Sequence, residues 1–377
     1  MAYHRTQKIR LLISKTDEDY LQGISLALKE AWNWLIDTDE AMYDACKKDP
    51  ALPKPSSGKL YRAFEAFREE INTPWTRAIK SAMMSALIMK FCVARNKWFH
   101  GNGKPTKKAP SDRDSFECDA VHQKIVDGKL HFARGRLFKL AEPLKYSGKM
   151  CMFTYLREAG SWYLLIEWKM EGQDTKPAID NDKVVGIDLG IANSITLSTG
   201  EVYQLPDVSF LEERLLKQKT KLRCSKVGSK NHDKFRRRAE KTQERINHIM
   251  TDAIHKITSE IASRFSVVVM EKLSIVGMVE QTKHARFHNR IYKARMGRIK
   301  EYLVYKTNVF EVDQYYPSSQ ICSTCGAKHK MTLKDRTFHC EECGTVIDRD
   351  KNAALNLRAA YFAGLAKPVV RCKAEGV

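Results

Sequence analysis

Two pairs of cysteines with the same spacing restrict how the C-terminal part of this chain can fold. They stand in Cys322-Ser-Thr-Cys325-Gly and Cys340-Glu-Glu-Cys343-Gly, with Gly326–His339 between them. A CxxC turn directs two thiolates at one point, and two such turns supply the four ligands of a tetrahedral zinc ion. We therefore predict a zinc ribbon with Cys322, Cys325, Cys340 and Cys343 as ligands. A disulfide or a chance arrangement is the alternative.

The charge of the chain predicts a polyanionic partner. Its 377 residues include 65 Lys and Arg against 45 Asp and Glu, which gives a formal net charge of +20. Such a surplus attracts nucleic acid through neutralisation of phosphates and release of counterions. A basic protein without a specific partner and an anionic membrane surface remain as alternatives at this point. The length suggests two or three domains.

The sequence contains no signal for a membrane or for secretion. No run approaches the roughly 18 apolar residues of a membrane span, and residues Met1–Arg10 lack the apolar core of a signal peptide. We expect an intracellular protein with no membrane partner, which in a prokaryote would be cytoplasmic and associated with the nucleoid.

The basic residues are concentrated in one predicted helical stretch between Arg214 and Lys241. Within it only Asp233 and Glu240 are acidic. A charge run usually marks a solvated helix face, but such a face normally mixes both signs. A run of one sign favours a surface that follows phosphates. The candidate nucleic-acid-binding residues are Lys217, Lys219, Lys221, Arg223, Lys230, Lys234, Arg236, Arg237 and Arg238.

The N-terminal half alternates between strand and helix patterns. Residues 5–14 predict one or two strands, and the chain to Phe99 predicts helices, with a break at Asn72-Thr73-Pro74. From His100 to about Glu171, short alternating segments separated by turn residues predict a small barrel. Residues 5–14 could supply its first strand, which would make the helical region an insertion.

The C-terminal half predicts an RNase H-like order of elements. Val184–Gly190 is a buried strand with hairpin partners at Ser194–Leu197 and Glu201–Gln204. The basic helix follows, and its continuation carries an apolar stripe expected to pack on the sheet. Further strands are predicted at Ser266–Glu271 and Val309–Val312, and a final helix at Asn352–Leu365. The stripe consists of Ile246, Ile249, Ala253, Ile257, Ile261 and Phe265.

Four acidic residues stand at three places in the predicted fold, two strand ends and one helix start. Asp188 and Glu271 each end a buried apolar strand, and Asp348 and Asp350 stand at the start of the last helix. If these ends are neighbours, their carboxylates could bind two Mg²⁺ or Mn²⁺ ions for in-line attack on a phosphodiester. Taken singly, they are explained as a turn carboxylate, a strand-end ion pair and a helix N-cap. Together, on a basic protein, they favour a nuclease.

Several stretches resemble motifs of the TnpB family, transposon-encoded RNA-guided nucleases related to type V CRISPR effectors. Gly186–Gly190 is similar to the first RuvC motif, Met270–Ser274 to the second and Asp348–Leu357 to the third. Tyr316–Gly326 resembles the segment that leads into the family's zinc ribbon. Gly228–Asn231 with the following Arg-rich helix and, more weakly, Ser111–Phe116 also match. The resemblance covers about Val184–Leu365 well and the N-terminal half mainly in arrangement.

The resemblance implies an α+β multidomain fold. Its parts would be a wedge β-barrel (1–14 and 100–180), an inserted helical recognition lobe (15–99), an RNase H-like (RuvC) α/β nuclease domain (181–320 and 345–377) and an inserted zinc ribbon (321–344). It also implies Asp188, Glu271 and Asp350 as catalytic ligands of Mg²⁺ or Mn²⁺, with Asp348 as the substitute for Asp350.

The activity that the resemblance implies is cleavage of double-stranded target DNA beside a short flanking motif, directed by a guide RNA from the transposon end. The gene would belong to, or derive from, an insertion sequence, and a monomer is favoured. Two alternatives stay open. A nuclease-inactive RNA-guided DNA-binding repressor would be expected to lack carboxylates that are all present here, and a guide-free RuvC-like resolvase or transposase would act without RNA.

The chain departs from the family pattern in Val276–Lys306. This segment keeps a Gly-Met pair and a basic helix, but His288-Asn289-Arg290-Ile291-Tyr292 stands where a Trp is expected. The departure concerns access of substrate and leaves the three acidic positions unaffected.

Overall fold

The computed structural model describes residues 3–120, 123–171, 176–191, 193–274, 292–332 and 335–369. The fold is mixed α/β and divides into two compact units, Met1–Asp174 and Thr175–Val377. Within the described ranges, no helix is both long enough and apolar enough to cross a membrane. The finer division into four domains stays a prediction.

The first unit combines an antiparallel sheet with four helices. Its strands are β1 (Tyr3–Leu12), β2 (Ser115–Asp119), β3 (Lys124–Val126), β4 (Lys129–His131), β5 (Leu137–Leu140), β6 (Lys149–Glu158) and β7 (Ser161–Met170). Its helices are α1 (Lys15–Lys48), α2 (Ser57–Ile71), α3 (Pro74–Ala78) and α4 (Ser81–Phe99).

Strand β1 lies at the centre of the first sheet. The strand order is β2-β6-β7-β1-β5-β4-β3, and β1 pairs antiparallel with both β7 and β5. Its alternate residues Gln7, Ile9 and Leu11 are buried, as expected for a strand with one face on a core. Helices α1–α4 are therefore inserted between two strands of one sheet, as the sequence pattern suggested.

The inserted helices share one hydrophobic core with this sheet. Leu21 and Phe91 from the helices belong to the same buried cluster as Phe153 and Trp162 from the strands. The predicted break is confirmed, because α2 ends at Asn72 with a left-handed φ of 45° and α3 begins at Pro74.

A buried lysine fastens the connection between the helices and β2. Lys29 is 4% exposed, and its ammonium donates to the backbone oxygens of Pro110 and Asp112 and to the Asp114 carboxylate, at 2.6–3.1 Å. The Ser111–Phe116 stretch thus has a structural role here: its aspartate compensates a charge that would otherwise be buried alone.

The second unit is built on a six-stranded mixed sheet. Its strands are β8 (Val184–Asp188), β9 (Ile195–Leu197), β10 (Val202–Tyr203), β11 (Val267–Glu271), β12 (Asn308–Val312) and β15 (Lys367–Pro368), and a separate hairpin is formed by β13 (Thr337–His339) and β14 (Val346–Asp348). Its helices are α5 (Ser209–Arg223), α6 (Lys230–Arg264), α7 (Met296–Lys306) and α8 (Arg349–Phe362).

The strand order of this sheet brings the ends of β8 and β11 together. The order is β10-β9-β8-β11-β12-β15, with β8, β11 and β12 parallel and β9 antiparallel to β8. The hairpin, helix, strand, helix, strand order predicted from the sequence is thus confirmed. One face of the sheet packs on α6 and α7, and the other on α8.

Helix α8 approaches β8 so closely that only glycine fits at the contact. A Cβ atom on Gly186 would lie 1.9 Å from the backbone oxygen of Ala354 and 2.7 Å from the backbone nitrogen of Arg358. Gly186 therefore lets the helix backbone rest directly on the strand. The depth of α8 over the sheet is fixed at this point.

The basic stretch folds as two helices, which corrects the prediction of one continuous helical run. Helix α5 ends at Arg223, Gly228 adopts a φ of +81°, and the Ser229 side chain caps α6 by accepting from the N–H of His232. A left-handed glycine followed by a serine N-cap is a recognisable helix boundary in sequence.

The apolar stripe of α6 also differs from the prediction. The buried residues are Ile246, Met250, Ile254, Thr258 and Ile261, whereas Ile249, Ala253 and Ile257 are partly exposed. The N-terminal part of the stripe packs on Leu215 of α5, and the C-terminal part packs on the sheet. The helix changes partners along its length, which a single predicted face does not describe.

Substitution of Gly186 by alanine should destabilise the protein because neither backbone can move without losing the packing of α8. We expect Gly186→Ala to lower the free energy of unfolding by about 3 kcal/mol or more, measured by urea denaturation. Gly23→Ala is the control: its Cβ would meet nothing within 4 Å, and alanine suits the interior of α1. Equal stability of Gly186→Ala and wild type would contradict this account.

Candidate functional site

Asp188 and Glu271 lie side by side at one edge of the second sheet. Strands β8 and β11 are parallel with Ile187 opposite Met270, so the next residues along, Asp188 and Glu271, end adjacent strands. Because side chains alternate along a strand, both carboxylates point to the face covered by α8. Each is partly exposed, so a ligand can reach it.

The start of α8 places its two aspartates in different environments. Asp348 is exposed and caps the helix, because its Oδ1 accepts from the N–H of Lys351 at 3.0 Å. Asp350 is only 5% exposed. A helix N-cap explains Asp348 fully, whereas a buried carboxylate needs partners or a cation.

The partners of Asp350 are residues that sequence reasoning did not single out. Asn193 donates to its Oδ2 at 3.3 Å, and Arg349 donates to its Oδ1 at 3.3 Å. A nitrogen of Arg336 lies 3.9 Å from Oδ2. Asn193 belongs to the loop after β8, five residues beyond Asp188. This short separation is the one signal in the sequence that could have identified Asn193 as part of the site.

The carboxylates influence one another. Burial by surrounding protein raises the pKa of Asp188 to about 7, with the negative charges of Asp350 and Glu271 acting in the same direction and Arg349 opposing them. Burial likewise raises the pKa of Glu271 to about 7. The structure therefore brings Asp188, Glu271 and Asp350 into one cluster of mutually repelling charges.

The chemistry of this cluster fits divalent cations. Two such ions about 4 Å apart can share the carboxylates of one cluster. Carboxylate oxygens are the hard ligands that Mg²⁺ and Mn²⁺ prefer.

The four predicted cysteines form a compact cluster. The ligand atoms of Cys322, Cys325, Cys340 and Cys343 all lie within 4.8 Å of one another. The distances are 3.6 Å from Cys322 Sγ to Cys343 Sγ and 3.5 Å from Cys325 Sγ to Cys340 Sγ. These exceed a disulfide bond of about 2.05 Å and approach the roughly 3.8 Å between thiolates around tetrahedral zinc. The cluster could hold zinc.

The surroundings of the cluster favour ionisation of the Cys322 thiol and oppose that of the Cys325 thiol. Burial opposes ionisation of Cys322, but N–H groups of Cys325 and Thr324 and neighbouring thiols lower its pKa to about 6. The N–H of Ala327 favours the thiolate of Cys325, yet the other three thiols raise its pKa to about 12. Four negative charges cannot share this space alone, and a bound cation would compensate them.

Two buried asparagines join α8 to the cysteine cluster. Asn352 donates to the backbone oxygen of Ile321 at 2.7 Å and accepts from the N–H of Ser323 at 3.0 Å. Asn356 donates to the oxygens of Ser318 and Ile321 at 2.7 and 2.6 Å. The asparagines of the third motif thus orient the first CxxC turn on the helix that carries Asp350.

The nine predicted nucleic-acid-binding residues are all exposed on α5 and α6. Lys217 pairs with Glu213, and Arg236 lies near Asp233 and Glu240, so these two charges are partly compensated within their own helices. A shallow groove along α6 is lined by five basic residues and one acidic residue: Lys230, Lys234, Arg237, Arg238, Lys241 and Asp233. The segment Val276–Lys306 was noted above because it departs from the family pattern. Its residues 276–291 lie outside the described residues.

Loss of one clustered cysteine should abolish zinc binding, since three thiolates leave the tetrahedron incomplete. We expect about one zinc per chain in the wild type and none in Cys343→Ser, measured by elemental analysis of purified protein. Cys224→Ser, which also removes an exposed thiol, should keep the zinc. Zinc retained by Cys343→Ser would argue against this ligand set.

The raised pKa values of Asp188 and Glu271 predict how stability depends on pH in buffer without divalent cations. Between about pH 4 and 7 the folded state binds more protons than the unfolded state. Stability should therefore fall as pH rises through this window, by about 2–4 kcal/mol in total. Asp188→Asn should flatten the dependence, whereas Asp348→Asn should not. The measurement is urea denaturation at several pH values, and equal slopes in all three proteins would contradict it.

Two family models match the second half of the chain. The model described as "Cas12f1-like, TNB domain" matches residues 297–357, which contain β12, the cysteine cluster and the start of α8. The model described as "Probable transposase" matches residues 167–282. Between them they include the positions of Asp188, Glu271 and Asp350.

Curated relatives and one solved structure agree with these matches. A putative RNA-guided DNA endonuclease of Streptomyces pristinaespiralis is 32% identical over 60% of this chain and 56% of its own length. InsQ of Escherichia coli, also named a putative RNA-guided DNA endonuclease, is 25% identical over 82% of this chain and 81% of its own length. Cas12f1, solved with sgRNA and target DNA, shares the fold with a TM-score of 0.56 and 13% identity, covering 95% of this chain and 99% of that one.

The chain thus spans little more than half the length of its Streptomyces relative. Other curated relatives, among them one of Methanocaldococcus jannaschii that is 27% identical over 44% of this chain and 60% of its own length, are named TnpB-like proteins. The two matched models and these relatives confirm the resemblance to the TnpB family that the motifs predicted.

Proposed function

We propose that this protein is an RNA-guided, metal-dependent endonuclease that cuts double-stranded DNA beside a short flanking motif. The observation that carries the proposal is the acidic cluster: carboxylates from β8, β11 and α8 converge at one sheet edge, with the pKa values of two of them raised to about 7. Clusters of perturbed acids in a reachable position are typical of catalytic centres.

In this proposal Asp188, Glu271 and Asp350 hold two Mg²⁺ or Mn²⁺ ions. When bound, the ions would lower the pKa of the attacking water and neutralise charge on the leaving oxygen. Gly186 sets the depth of α8 and hence the position of Asp350 relative to Asp188. Asn193 and Arg349 orient the Asp350 carboxylate, and the partial exposure of Asp188 and Glu271 leaves a path for a phosphodiester.

The nucleic acid partners are proposed to be a guide RNA from the transposon end and the DNA with which it pairs. Two relatives are named putative RNA-guided DNA endonucleases, and the exposed cationic face of α6 offers a surface that follows phosphates. Guide pairing would determine the sequence that is cut, and protein contacts would recognise backbone shape and the flanking motif.

The other parts of the chain take supporting roles in this proposal. The sheet and helices of the first unit would be the wedge barrel and the recognition lobe, the second sheet would be the RuvC-like nuclease core, and the four cysteines would bind zinc in the ribbon. We propose that the protein acts as a monomer in the cytoplasm of a prokaryote, on nucleoid DNA, and that its gene belongs to an insertion sequence.

A guide-free RuvC-like transposase or resolvase is the second candidate, favoured by the family model described as "Probable transposase". It would bind transposon ends or branched DNA without RNA. An RNA-guided repressor without nuclease activity is less well supported, because all three acidic positions are occupied. Sequencing the RNA that co-purifies with the protein from its host distinguishes both guided functions from the guide-free one.

The decisive test reprograms the RNA found in that purification and measures magnesium-dependent cutting of a plasmid library with randomised flanking bases. We expect Asp350→Asn to reduce the cleavage rate by about 1,000-fold or more, since it removes a metal-ligand charge. Asp348→Asn is the matched control, because asparagine caps helices as well as aspartate does. It should stay within about threefold of wild type.

Three outcomes of this experiment distinguish the candidate functions. Guided cutting lost in Asp350→Asn and kept in Asp348→Asn supports it. Guided DNA binding without cutting by the wild type would favour the repressor. Absence of a discrete co-purifying RNA, together with cutting of unguided branched DNA, would favour the resolvase.

A further inference from the structure

One buried hydroxyl of the second sheet lacks a partner. Thr196, at the centre of β9, is 1% exposed, and its side-chain Oγ1 has no hydrogen-bond partner among the residues that the structure describes. A buried hydroxyl without a partner destabilises a fold, because it has lost water and gained nothing in exchange. Valine has the same shape but no hydroxyl, so it would avoid this cost. The presence of threonine at this position therefore needs an explanation.

The register of the sheet places Thr196 beside a candidate metal ligand. Strands β9 and β8 are antiparallel, and Thr196 is directly opposite Asp188. Side chains that face each other in such a pair lie on the same side of the sheet with Cβ atoms about 4.5–5.5 Å apart. The flanking residues Ile195 and Leu197 point the other way, into the hydrophobic core.

Thr196, Asp188 and Glu271 therefore form a row across three neighbouring strands on the α8 side of the sheet. Rotation about the Cα–Cβ bond moves the threonine hydroxyl among three staggered positions without movement of the backbone. The Asp188 side chain, directly opposite on the same side of the sheet, is close enough to accept a hydrogen bond from such a hydroxyl. Groups that hydrogen-bond to metal-binding carboxylates fix their orientation and affect metal affinity strongly.

A second hydroxyl, in the turn directly after β9, has a structural role. Ser198, two residues after Thr196, accepts a hydrogen bond from the N–H of Gly186 at 3.1 Å. Its hydroxyl is explained by the fold alone. The Thr196 hydroxyl is not, although it is more deeply buried.

We propose that Thr196 is a positioning residue whose hydroxyl donates a hydrogen bond to the Asp188 carboxylate when that carboxylate binds a divalent cation. The bond would hold one carboxylate oxygen and leave the other directed at the cation. This inference rests on the metal site of the proposed function and adds a residue from a strand that no motif covers.

The test compares Thr196→Val, Thr196→Ser and Ser198→Ala in the purified full-length protein. Mn²⁺ binding is measured without nucleic acid by the electron paramagnetic resonance signal of free Mn²⁺, and melting temperature is measured in magnesium-free buffer. Thr196→Val should weaken Mn²⁺ binding about 10-fold or more while its melting temperature is equal to or above that of wild type. Thr196→Ser should bind Mn²⁺ within about threefold of wild type.

The Ser198→Ala control should behave in the opposite way, with a lower melting temperature and unchanged Mn²⁺ affinity. Wild-type Mn²⁺ affinity in Thr196→Val would overturn the proposal. Equal weakening by Thr196→Ser and Thr196→Val would also overturn it, because packing of the methyl group would then be the cause.

Asp188→Asn separates this inference from the proposed function. If Asp188→Asn binds Mn²⁺ as wild type does, no metal site exists at Asp188 and both proposals fail. If the wild type binds Mn²⁺ in a Thr196-dependent manner but performs no guided cleavage, the positioning role stands and the proposed function fails.

Discussion

The backbone contact between Gly186 and Ala354 determines the arrangement of the second unit. It allows α8 to lie directly on β8, and the first turn of the helix then places Asp350 near Asp188. The same helix carries Asn352 and Asn356, which bind the backbone that leads into the cysteine cluster. Three separate stretches of sequence therefore depend on one position at which no side chain is tolerated.

The acidic cluster and the cysteine cluster concentrate negative charge in a chain that is strongly basic overall. In both, burial and neighbouring groups raise the pKa of at least one member to about 7 or above. Both would be relieved by a cation, but by different ones: carboxylate oxygens suit Mg²⁺ or Mn²⁺, and thiolates suit zinc. Helix α8 connects them, so zinc binding would stabilise the element that positions Asp350.

The sequence was sufficient to predict the elements whose signal is local. Buried strands ending in Asp188 and Glu271, the helix break before Pro74 and the two CxxC turns all follow from neighbouring residues, and each is present in the structure. Side chains that act across the fold were not predictable. Asn193, Arg336 and the pairing of Thr196 with Asp188 depend on strand register and on the depth of α8, neither of which a single sequence specifies. The prediction of the apolar stripe of α6 was partly wrong, because that helix changes packing partners halfway along its length.

The central position of β1 has a consequence for synthesis of the chain. This strand is made long before its partner β7: His4 contacts Glu167, 163 residues downstream. At about 5–20 residues per second, a ribosome needs about 8–33 seconds to cover that distance. Helices α1–α4 emerge in the meantime and can pack together before the sheet closes. Until β7 has been synthesised, β1 is unpaired on that edge, and it carries Lys8 and Arg10 between its apolar residues. Charges on an unpaired strand edge hinder association with other chains.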